Sequence, residues 1–344
     1  PIIMKLFIYE HITSGALSGN SLPVSLANEG HVMLMAVLHD CAYLNGMLIN
    51  TMRDQRLKAI EFIDDHPQHN CHFISTQTQY AQCWQHCLDI ADAVLIIAPE
   101  TDNLLVGLQQ QALAANKLII GCQPNAIKLA TDKNKCNEHL IKHSIAVVET
   151  TLAYHWLTTP FTSPPGYILK PTDGAGCINT YYFNNSDELQ RHLSSQELAT
   201  LHRLIVQPYV EGISASLSLL ASNDDIEVLA INRQNIAQFQ QQLKVTSCTI
   251  NDLSAIPLSI EKASKLAQQI HKAIPGLWGH IGIDLIVTDS SAFVTDINPR
   301  LTSSYIGLSS SLNINPMSRL FEMKKNTLSF LPPITQRNRI EVKL

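Results

Sequence analysis

Two carboxylates and a carboxamide in the last quarter of the chain have the types and spacing of a Mg²⁺ site. Two short apolar strands are predicted here, joined by the polar turn at 288–291. Side chains alternate faces along a strand, so Asp296 and Asn298 point the same way, and a hairpin closed at the turn brings Asp284 level with them. Oxygen ligands without His or Cys suit Mg²⁺. Arg300 follows on the same side. Taken by itself, a pair of aspartates on two such strands more often belongs to an edge hairpin with a solvated acidic turn.

A lysine and a glycine-rich turn further upstream have the chemistry of a phosphate site. Lys170 lies near the end of an apolar strand at 167–171, and the sequence DGAG follows at 173–176. Two glycines let backbone N–H groups approach phosphate closely, and a lysine there can pair with phosphate oxygens. No Walker A or dinucleotide-binding pattern is present. Alone, DGAG is more often a hairpin turn, and Lys170 a surface lysine.

Two weaker features lie between these sites. Residues 204–209 read as a strand and Glu211 follows, so extended backbone could bind an adenine edge while the carboxylate takes ribose hydroxyls. Arg233 ends another apolar strand and could neutralise a transferring phosphoryl group. The simpler interpretation of residues 204–211 is an ordinary strand and turn. The simpler interpretation of Arg233 is a solubilising charge at the end of a strand. The order of all these features along the chain is more specific than any one of them.

The N-terminal 121 residues alternate between apolar β runs and helical patterns. This order predicts an open parallel sheet covered by helices, with ligands at the carboxyl ends of its strands, near the loops at 10–15 and 99–102. Between the first strands we expect two helical segments, separated at Gly30. The character changes near Pro124, and a Pro-rich loop at 158–166 is the clearest break.

Composition excludes several classes of protein. The chain has 344 residues, of which 45% are hydrophobic and 15% charged, and this length is enough for two or three domains. Its net charge of −5 is unfavourable for binding to nucleic acid or to an anionic membrane. The apolar runs are too short to span a bilayer, and from the first residues we expect no secretory signal. The eight cysteines form no CxxC and fit no standard zinc spacing, so reduced thiols are expected. We expect a soluble cytoplasmic protein.

The ordered motifs resemble the ATP-grasp superfamily over about residues 124–325, and the first sheet is similar to the pre-ATP-grasp domain. The resemblance implies an α/β protein: an N-terminal open parallel, Rossmann-like sheet followed by a two-lobed α+β ATP-grasp module. The expected divisions are a pre-ATP-grasp domain at 1–123, a central lobe at 124–210, a C-terminal lobe with the metal site at 211–330 and a polar tail at 331–344.

The resemblance also implies roles for individual residues. The residues expected to bind ATP are Lys133, Lys170, Asp173, Gly174, Ala175, Gly176, Gln207, Pro208, Tyr209 and Glu211. The residues expected to hold one or two Mg²⁺ (or Mn²⁺) ions are Asp284, Asp296 and Asn298, and those expected to be catalytic are Arg300, Arg233 and Lys170. Three positions depart from the pattern: Asp296 and Gln207 stand where Glu is usual or frequent, and Cys177 where Gly is common.

The implied activity is an ATP-dependent carboxylate–amine ligase. A carboxylate attacks the γ-phosphate of Mg-ATP to give an acyl phosphate, and an amine then displaces phosphate. The segments YEHITSG, APETD and VTDINPRLTSSYIGLS resemble tyramine–glutamate ligases of methanofuran-type cofactor synthesis and their bacterial relatives. We therefore expect a glutamate-like acid and an arylethylamine, contacted in part by the loops at 13–15 and 100–102. A ligase for another amino-acid or peptide pair, and a nucleotide-binding protein without activity, are the alternatives. No nucleic-acid or membrane partner is expected, and a homodimer is left open.

Overall fold

The computed structural model describes residues 4–60, 66, 69–174, 177–325, 328 and 331–343. The strands of this part are β1 (Met4–Glu10), β2 (Met47–Asp54), β3 (Asn70–Ile74), β4 (Ala93–Ile97), β5 (Leu118–Ile119), β6 (Thr151–Leu152), β7 (Tyr167–Pro171), β8 (Thr180–Phe183), β9 (Leu204–Pro208), β10 (Ile213–Ala221), β11 (Ile226–Phe239), β12 (Gln242–Ile250), β13 (Gly279–Val287), β14 (Ala292–Asn298) and β15 (Ile340–Lys343). The α-helices are α1 (Val24–Ala42), α2 (Gln77–Ile90), α3 (Leu104–Ala114), α4 (Pro124–Thr131), α5 (Lys133–Lys142), α6 (Ala153–Thr158), α7 (Ser186–Ser194), α8 (Leu198–Leu201), α9 (Ile260–Ala273), α10 (Leu308–Leu312) and α11 (Pro316–Lys325). Short 3₁₀ turns lie at Thr101–Asn103 and Ser303–Gly307.

The N-terminal sheet is parallel, with strand order β3-β2-β1-β4-β5. This confirms the predicted open α/β sheet. Its central strand is buried on both faces, as Leu6, Phe7 and Ile8 are fully inaccessible, which is why β1 reads as a continuous apolar run instead of an alternating one. The carboxyl ends of β1 and β4 therefore carry the loops at 10–15 and 99–102 to one edge of the sheet.

The helix after β1 corrects one prediction. Two helical segments separated at Gly30 were expected, but α1 runs without a break through that residue. A Cβ atom at Gly30 would lie 2.6 Å from the Glu10 carboxylate. Glycine is present because the helix packs directly on this side chain, and not because a helix ends there.

The second sheet is mainly antiparallel and joins both lobes of the remaining chain. Its order is β14-β13-β10-β11-β12-β8-β7-β9-β6, with β15 added on β12. The lobes meet where Leu243 of β12 pairs with Thr180 of β8. The smaller lobe has its own core around Trp156 and Phe183. The two-lobed α+β arrangement is confirmed, while the exact domain boundaries remain predictions.

The residues expected to form a polar tail are part of the C-terminal lobe. Strand β15 pairs with β12, with Val342 opposite Cys248. The Arg339 guanidinium lies 3.0 Å from the carboxylate of Asp252. Hydrogen bonds and an ion pair therefore fasten residues 337–343 to the sheet.

Two further observations concern the cysteines and the lengths of the helices. All eight cysteines are free thiols. Among the residues that the structure describes, no helix is long and apolar enough to cross a membrane.

Candidate functional site

The hairpin of β13 and β14 forms as predicted and brings its acidic residues together. The Thr288 amide donates to the Ser291 carbonyl at 2.8 Å, which closes the turn. Asp284 pairs with Asp296, and Asn298 lies opposite Gly282, so the three polar side chains share one face of the sheet. After Asp284 the register shifts by one residue, which leaves Thr295 as a bulge.

Asp284 is held by two amide groups. The side-chain nitrogens of Gln234 and Asn298 donate to its two carboxylate oxygens at 3.0 and 3.1 Å. Burial, and next to it the Asp296 carboxylate, raise the pKa of Asp284 to about 6. Two carboxylates placed this close favour a cation between or beside them.

Lys133 supplies one positive charge to this cluster. It is the first residue of α5, which Asp132 caps by accepting from the Lys135 amide. The Lys133 ammonium lies 2.9 Å from Asp296 and donates to the Gly174 carbonyl at 2.6 Å. Burial works to lower the pKa of Lys133, but the carboxylates of Asp296, Glu100 and Asp284 together outweigh it and the net shift is upward. Lys133 is therefore a charged, buried group.

Lys170 approaches the same carboxylates from β7. Its ammonium donates to the Thr295 carbonyl at 3.3 Å, at the bulge in β14. Burial lowers the pKa of Lys170, with Asp296 opposing and Lys133 adding to the shift. The two lysines thus balance the two acids in a largely dry cluster.

Arg300 faces a carboxylate from the N-terminal sheet. Its Nε atom lies 2.9 Å from Oε2 of Glu100, and both side chains are mostly buried. The two atoms are close but not aligned as a hydrogen bond. Burial works to lower the pKa of Arg300, but the carboxylates of Glu100, Glu29 and Asp284 together outweigh it and the net shift is upward. The sequence predicted the loop that contains Glu100 as a substrate contact, but not this ion pair.

Arg233 is not brought to the cluster. Residues along β11 alternate faces, and Gln234 reaches Asp284, so Arg233 lies on the opposite face, where it is exposed. The position of Arg233 therefore gives no support to the catalytic role expected for it. Gln234 and Asn232 occupy the face that was assigned to it, and no sequence pattern available here distinguishes one face of this strand from the other.

The strand expected to bind the base has an open edge. The ladder between β6 and β9 ends at the pair Thr151 and Val206. On the other side, the Tyr209 amide donates to the Gly166 carbonyl at 2.9 Å. Backbone groups alternate sides along a strand, so the Pro208 carbonyl and the Val210 N–H face the open edge. Val210 was absent from the sequence prediction, because its side chain has no part in this arrangement.

Side chains near this edge have separate roles. Gln207 is buried and its amide donates to the Thr150 hydroxyl at 2.7 Å, which holds the strand in place. The Tyr209 ring is partly exposed and packs edge-on against Tyr182. Glu211 is exposed at the end of the strand. The expected ribose contact is thus accessible, whereas the side chain of Gln207 already has a partner.

The segment after β7 is anchored at Asp173 and Gly174. The Asp173 carboxylate accepts from the Asp102 amide at 3.0 Å, and Gly174 accepts from Lys133. Ala175 and Gly176 lie outside the described residues. Cys177 has a φ of 60°, a left-handed conformation that glycine adopts with least strain.

The loop at 13–15 is packed into the N-terminal domain. Thr13 and Ser14 are fully buried, and the Thr13 amide and hydroxyl both donate to the Glu10 carboxylate. A Cβ atom at Gly15 would lie 2.5 Å from Ile74. These contacts stabilise the loop itself, so the substrate contact predicted there has no support from its placement.

The donor set fits a hard divalent cation. Within the described ranges, no three His, Cys, Asp or Glu side chains are placed to hold a metal ion together. Asp284, Asp296 and the carboxamide oxygen of Asn298 instead offer a small set of oxygen ligands. Mg²⁺ commonly takes one or two carboxylates and completes its shell with water and phosphate oxygens. The three residues predicted as metal ligands therefore remain a chemically consistent candidate site.

Comparisons with known proteins agree with this architecture. A family model described as ATP-grasp domain matches residues 130–304, just over half of the chain, and one described as pre ATP-grasp 3 domain matches 48–127. A tyramine–L-glutamate ligase of Methanocaldococcus fervens is 30% identical over 218 residues, 63% of this chain and 61% of that protein. The chain spans about three fifths of the length of the curated relatives that it matches first.

Solved structures share the fold at low identity. An ATP-grasp superfamily protein from Archaeoglobus fulgidus superimposes with a TM-score of 0.72 at 22% identity, covering 99% of this chain and 92% of that one. A biotin carboxylase from Campylobacter jejuni, in a complex with β,γ-ATP, gives 0.70 at 13% identity, covering 98% and 74%. Because the domain match includes both lobes that supply the charged cluster, the chain belongs to the ATP-grasp family.

Proposed function

We propose that the chain is an ATP-dependent carboxylate–amine ligase that forms an amide through an acyl phosphate. The observation that carries the proposal is the convergence of Lys133, Lys170, Asp284, Asp296 and Asn298 on one face of the second sheet. The ATP-grasp family uses ATP, and this cluster has the charges that a Mg-bound triphosphate requires.

In the proposed complex, Lys133 and Lys170 bind phosphate oxygens. Both ammonium groups now contact the carboxylate of Asp296 or nearby carbonyls, and phosphate oxygens would replace or share those contacts. Asp284, Asp296 and Asn298 would hold Mg²⁺, which neutralises charge on the phosphates and helps orient them. Asp296 is shorter than the Glu that is usual at this position, and its carboxylate would bind at least one ion.

The base would lie along the open edge of β9. The Pro208 carbonyl can accept from the adenine amino group, and the Val210 N–H can donate to a ring nitrogen. Glu211 is available for the ribose hydroxyls. Adenine recognition then depends on backbone groups at two alternate positions, with Gln207 fixing the strand through Thr150.

The chemistry needs positioning and charge more than covalent catalysis. The carboxylate oxygen of the acid attacks the γ-phosphorus, the bond to the β–γ bridging oxygen breaks, and ADP leaves. The amine nitrogen then attacks the carbonyl carbon, the bond to the phosphate oxygen breaks, and the amine proton passes to phosphate or water. Arg300 is close to Asp284 and stabilises negative charge on the acyl phosphate in this proposal.

The proposed acid is glutamate-like and the proposed amine is an arylethylamine such as tyramine. Support comes from the 30% identity to a tyramine–L-glutamate ligase, which spans part of both chains. Arg300 would face the acid, and the loop at 100–102 would border the amine.

A direct assay tests the proposal. The protein is incubated with Mg-ATP, glutamate and tyramine, and ADP, phosphate and the amide are measured, the last by mass spectrometry. We expect the three products in equal amounts. Pools of other amino acids and amines follow if this pair is inactive. Release of AMP and pyrophosphate, or absence of turnover with every pool despite ATP binding, would overturn the ligase assignment.

A further inference from the structure

The 100–103 loop joins β4 to α3 through an unusual backbone. Asp102 and Asn103 have φ values of 53° and 60°, so two consecutive non-glycine residues adopt the left-handed conformation. Such residues are uncommon, and Asp and Asn tolerate this region better than most. A pair of them in succession is maintained by surrounding contacts.

One set of contacts runs from this loop to the nucleotide half of the site. The Asp102 amide donates to the Asp173 carboxylate at 3.0 Å, and the Asp102 carboxylate accepts from the Arg203 guanidinium at 2.6 Å. Arg203 also lies 3.7 Å from Asp173. Its own carbonyl accepts from the Thr172 amide. Asp102 thus belongs to a bridge that fixes residues 172–174 from outside the ATP-grasp lobes.

A second contact runs from the same loop to the other half of the site. Glu100 lies only two residues before Asp102, and its carboxylate is 2.9 Å from Nε of Arg300. Residues 172–174 in turn reach Lys133 through the Gly174 carbonyl. One short loop of the N-terminal domain therefore contacts both Arg300 and the segment that borders the phosphate lysine.

We propose that Asp102 is a positioning residue that couples the nucleotide segment at 172–174 to the Glu100–Arg300 pair. The inference rests on the proposed function, because it assigns Asp102 an effect on ATP use and acyl transfer. Without the bridge, Asp173 and Glu100 lose their common support. ATP then binds less well, and the acyl phosphate is less well shielded. Water competes with the amine at its carbonyl carbon, breaking the same carbon–oxygen bond and returning acid and phosphate.

An ordinary surface ion pair is the simpler interpretation of Asp102 and Arg203. Their side chains are 71% and 61% exposed, and exposed pairs usually contribute little to stability. That interpretation does not account for the backbone amide directed at Asp173 or for two left-handed residues in succession. It also predicts no effect on catalysis, which makes the two interpretations separable.

Asp102→Gly and Asn103→Gly form a matched pair of variants. Glycine adopts the left-handed conformation without strain at either position, so both variants should fold. Asp102→Gly removes the carboxylate and its hold on Arg203, whereas Asn103→Gly changes only a neighbouring left-handed residue. Arg203→Gln removes the same ion pair from its other end, and both variants keep the Asp102 amide that donates to Asp173. Melting temperatures check that each variant is folded.

The measurements are the KM for ATP, the ratio of amide to ADP, and the affinity for Mg²⁺ with the β,γ-imido analogue of ATP. In Asp102→Gly and Arg203→Gln we expect a KM and a Kd raised about fivefold, in line with loss of a charge-assisted contact, and an amide-to-ADP ratio that falls by a similar factor. Asn103→Gly should match the wild type. Unchanged values in Asp102→Gly, or equal losses in Asn103→Gly, would overturn the positioning role. If the wild type binds the analogue but makes no amide, the ligase proposal fails, while the analogue affinities still test the bridge.

Discussion

The two ends of the nucleotide site differ in what builds them. The phosphate end is a compact set of side chains, with Lys133 and Lys170 among Asp284 and Asp296 on one face of the sheet. The base end is an open strand edge, where the Pro208 carbonyl and Val210 N–H are defined by the ladder ending at Val206. Charge therefore dominates one end and backbone geometry the other. Substitutions should act very differently at the two ends.

The largest effect should come from the metal residues. Asp284→Asn keeps the shape of the side chain but removes a carboxylate from the set that would hold Mg²⁺. We expect kcat to fall by about 10²–10³-fold, the range seen when one preorganised charge-stabilising group is lost. The melting temperature should change little, since relief of the buried charge offsets the loss of one of the two amide hydrogen bonds to this side chain.

Asp289→Asn is the control for this change, because it alters an exposed acid in the turn of the same hairpin. It should leave kcat unchanged. Metal-dependent turnover at the wild-type rate in Asp284→Asn would remove this residue from the metal site.

A smaller loss should follow at the phosphate lysines. Lys133→Met removes the ammonium but keeps an unbranched side chain in a buried position. Hydrogen bonds to charged groups contribute about 1.5–3 kcal/mol, so the KM for ATP should rise roughly 10- to 150-fold. Lys135→Met, two residues later and exposed, should change it little. Equal responses of the two variants would contradict the phosphate assignment.

The pKa of Asp284 predicts a pH dependence that is specific to this end. Its pKa is raised to about 6 in the folded protein, so the folded state binds the proton more tightly than the unfolded state. Without metal, its contribution to stability is present below the ordinary pKa near 4 and is lost as pH rises towards 6 and above. A shift of about two units corresponds to roughly 3 kcal/mol.

The free energy of unfolding of the wild type, relative to Asp284→Asn, should therefore decrease between about pH 4 and pH 6 in EDTA. In Mg²⁺ and the imido analogue of ATP the trend should reverse, because deprotonation creates the ligand. Denaturant unfolding at several pH values measures both trends. Parallel curves for the two proteins would show that Asp284 does not titrate in this range.

The smallest effects should appear at the base end. Glu211→Gln should raise the KM for ATP by about 3- to 10-fold, the loss of one or two ribose hydrogen bonds. Tyr209→Phe should have less than a twofold effect, because the groups that face the open edge are the backbone groups of its neighbours Pro208 and Val210, not the Tyr209 hydroxyl. A response to Tyr209→Phe as large as that to Lys133→Met would contradict the distinction between the two ends.

The same distinction explains what the sequence could predict. The hairpin around 288–291 and the alternation of Asp296 and Asn298 follow from local rules, and the structure has both. The bulge at Thr295 does not follow from local rules, although Lys170 contacts the carbonyl of this residue. Arg233 was assigned to the site on its residue type. Whether it or Gln234 faces Asp284 depends on the register of three strands, which no local pattern determines.

Contacts between distant segments were equally inaccessible. Glu100 and Arg300 are separated by most of the chain, and although each lies in a segment expected at the site, nothing in the sequence indicates that the two side chains pair. Gly30 is a similar case, since a helix-ending glycine and a glycine under a neighbouring carboxylate have the same appearance in the sequence. In both cases the role of the residue depends on how two distant elements pack against each other, and no local sequence pattern determines that packing.

The most direct test of the account is calorimetric binding of the β,γ-imido analogue of ATP, in Mg²⁺ and in EDTA, to the wild type and to Asp284→Asn. We predict that the wild type binds at least about tenfold more weakly in EDTA, as expected when phosphate charge is no longer neutralised, and that the variant shows little difference between the two conditions. Equal affinity of the wild type with and without Mg²⁺, or full metal dependence in the variant, would contradict the assignment of this cluster as the metal end of the nucleotide site.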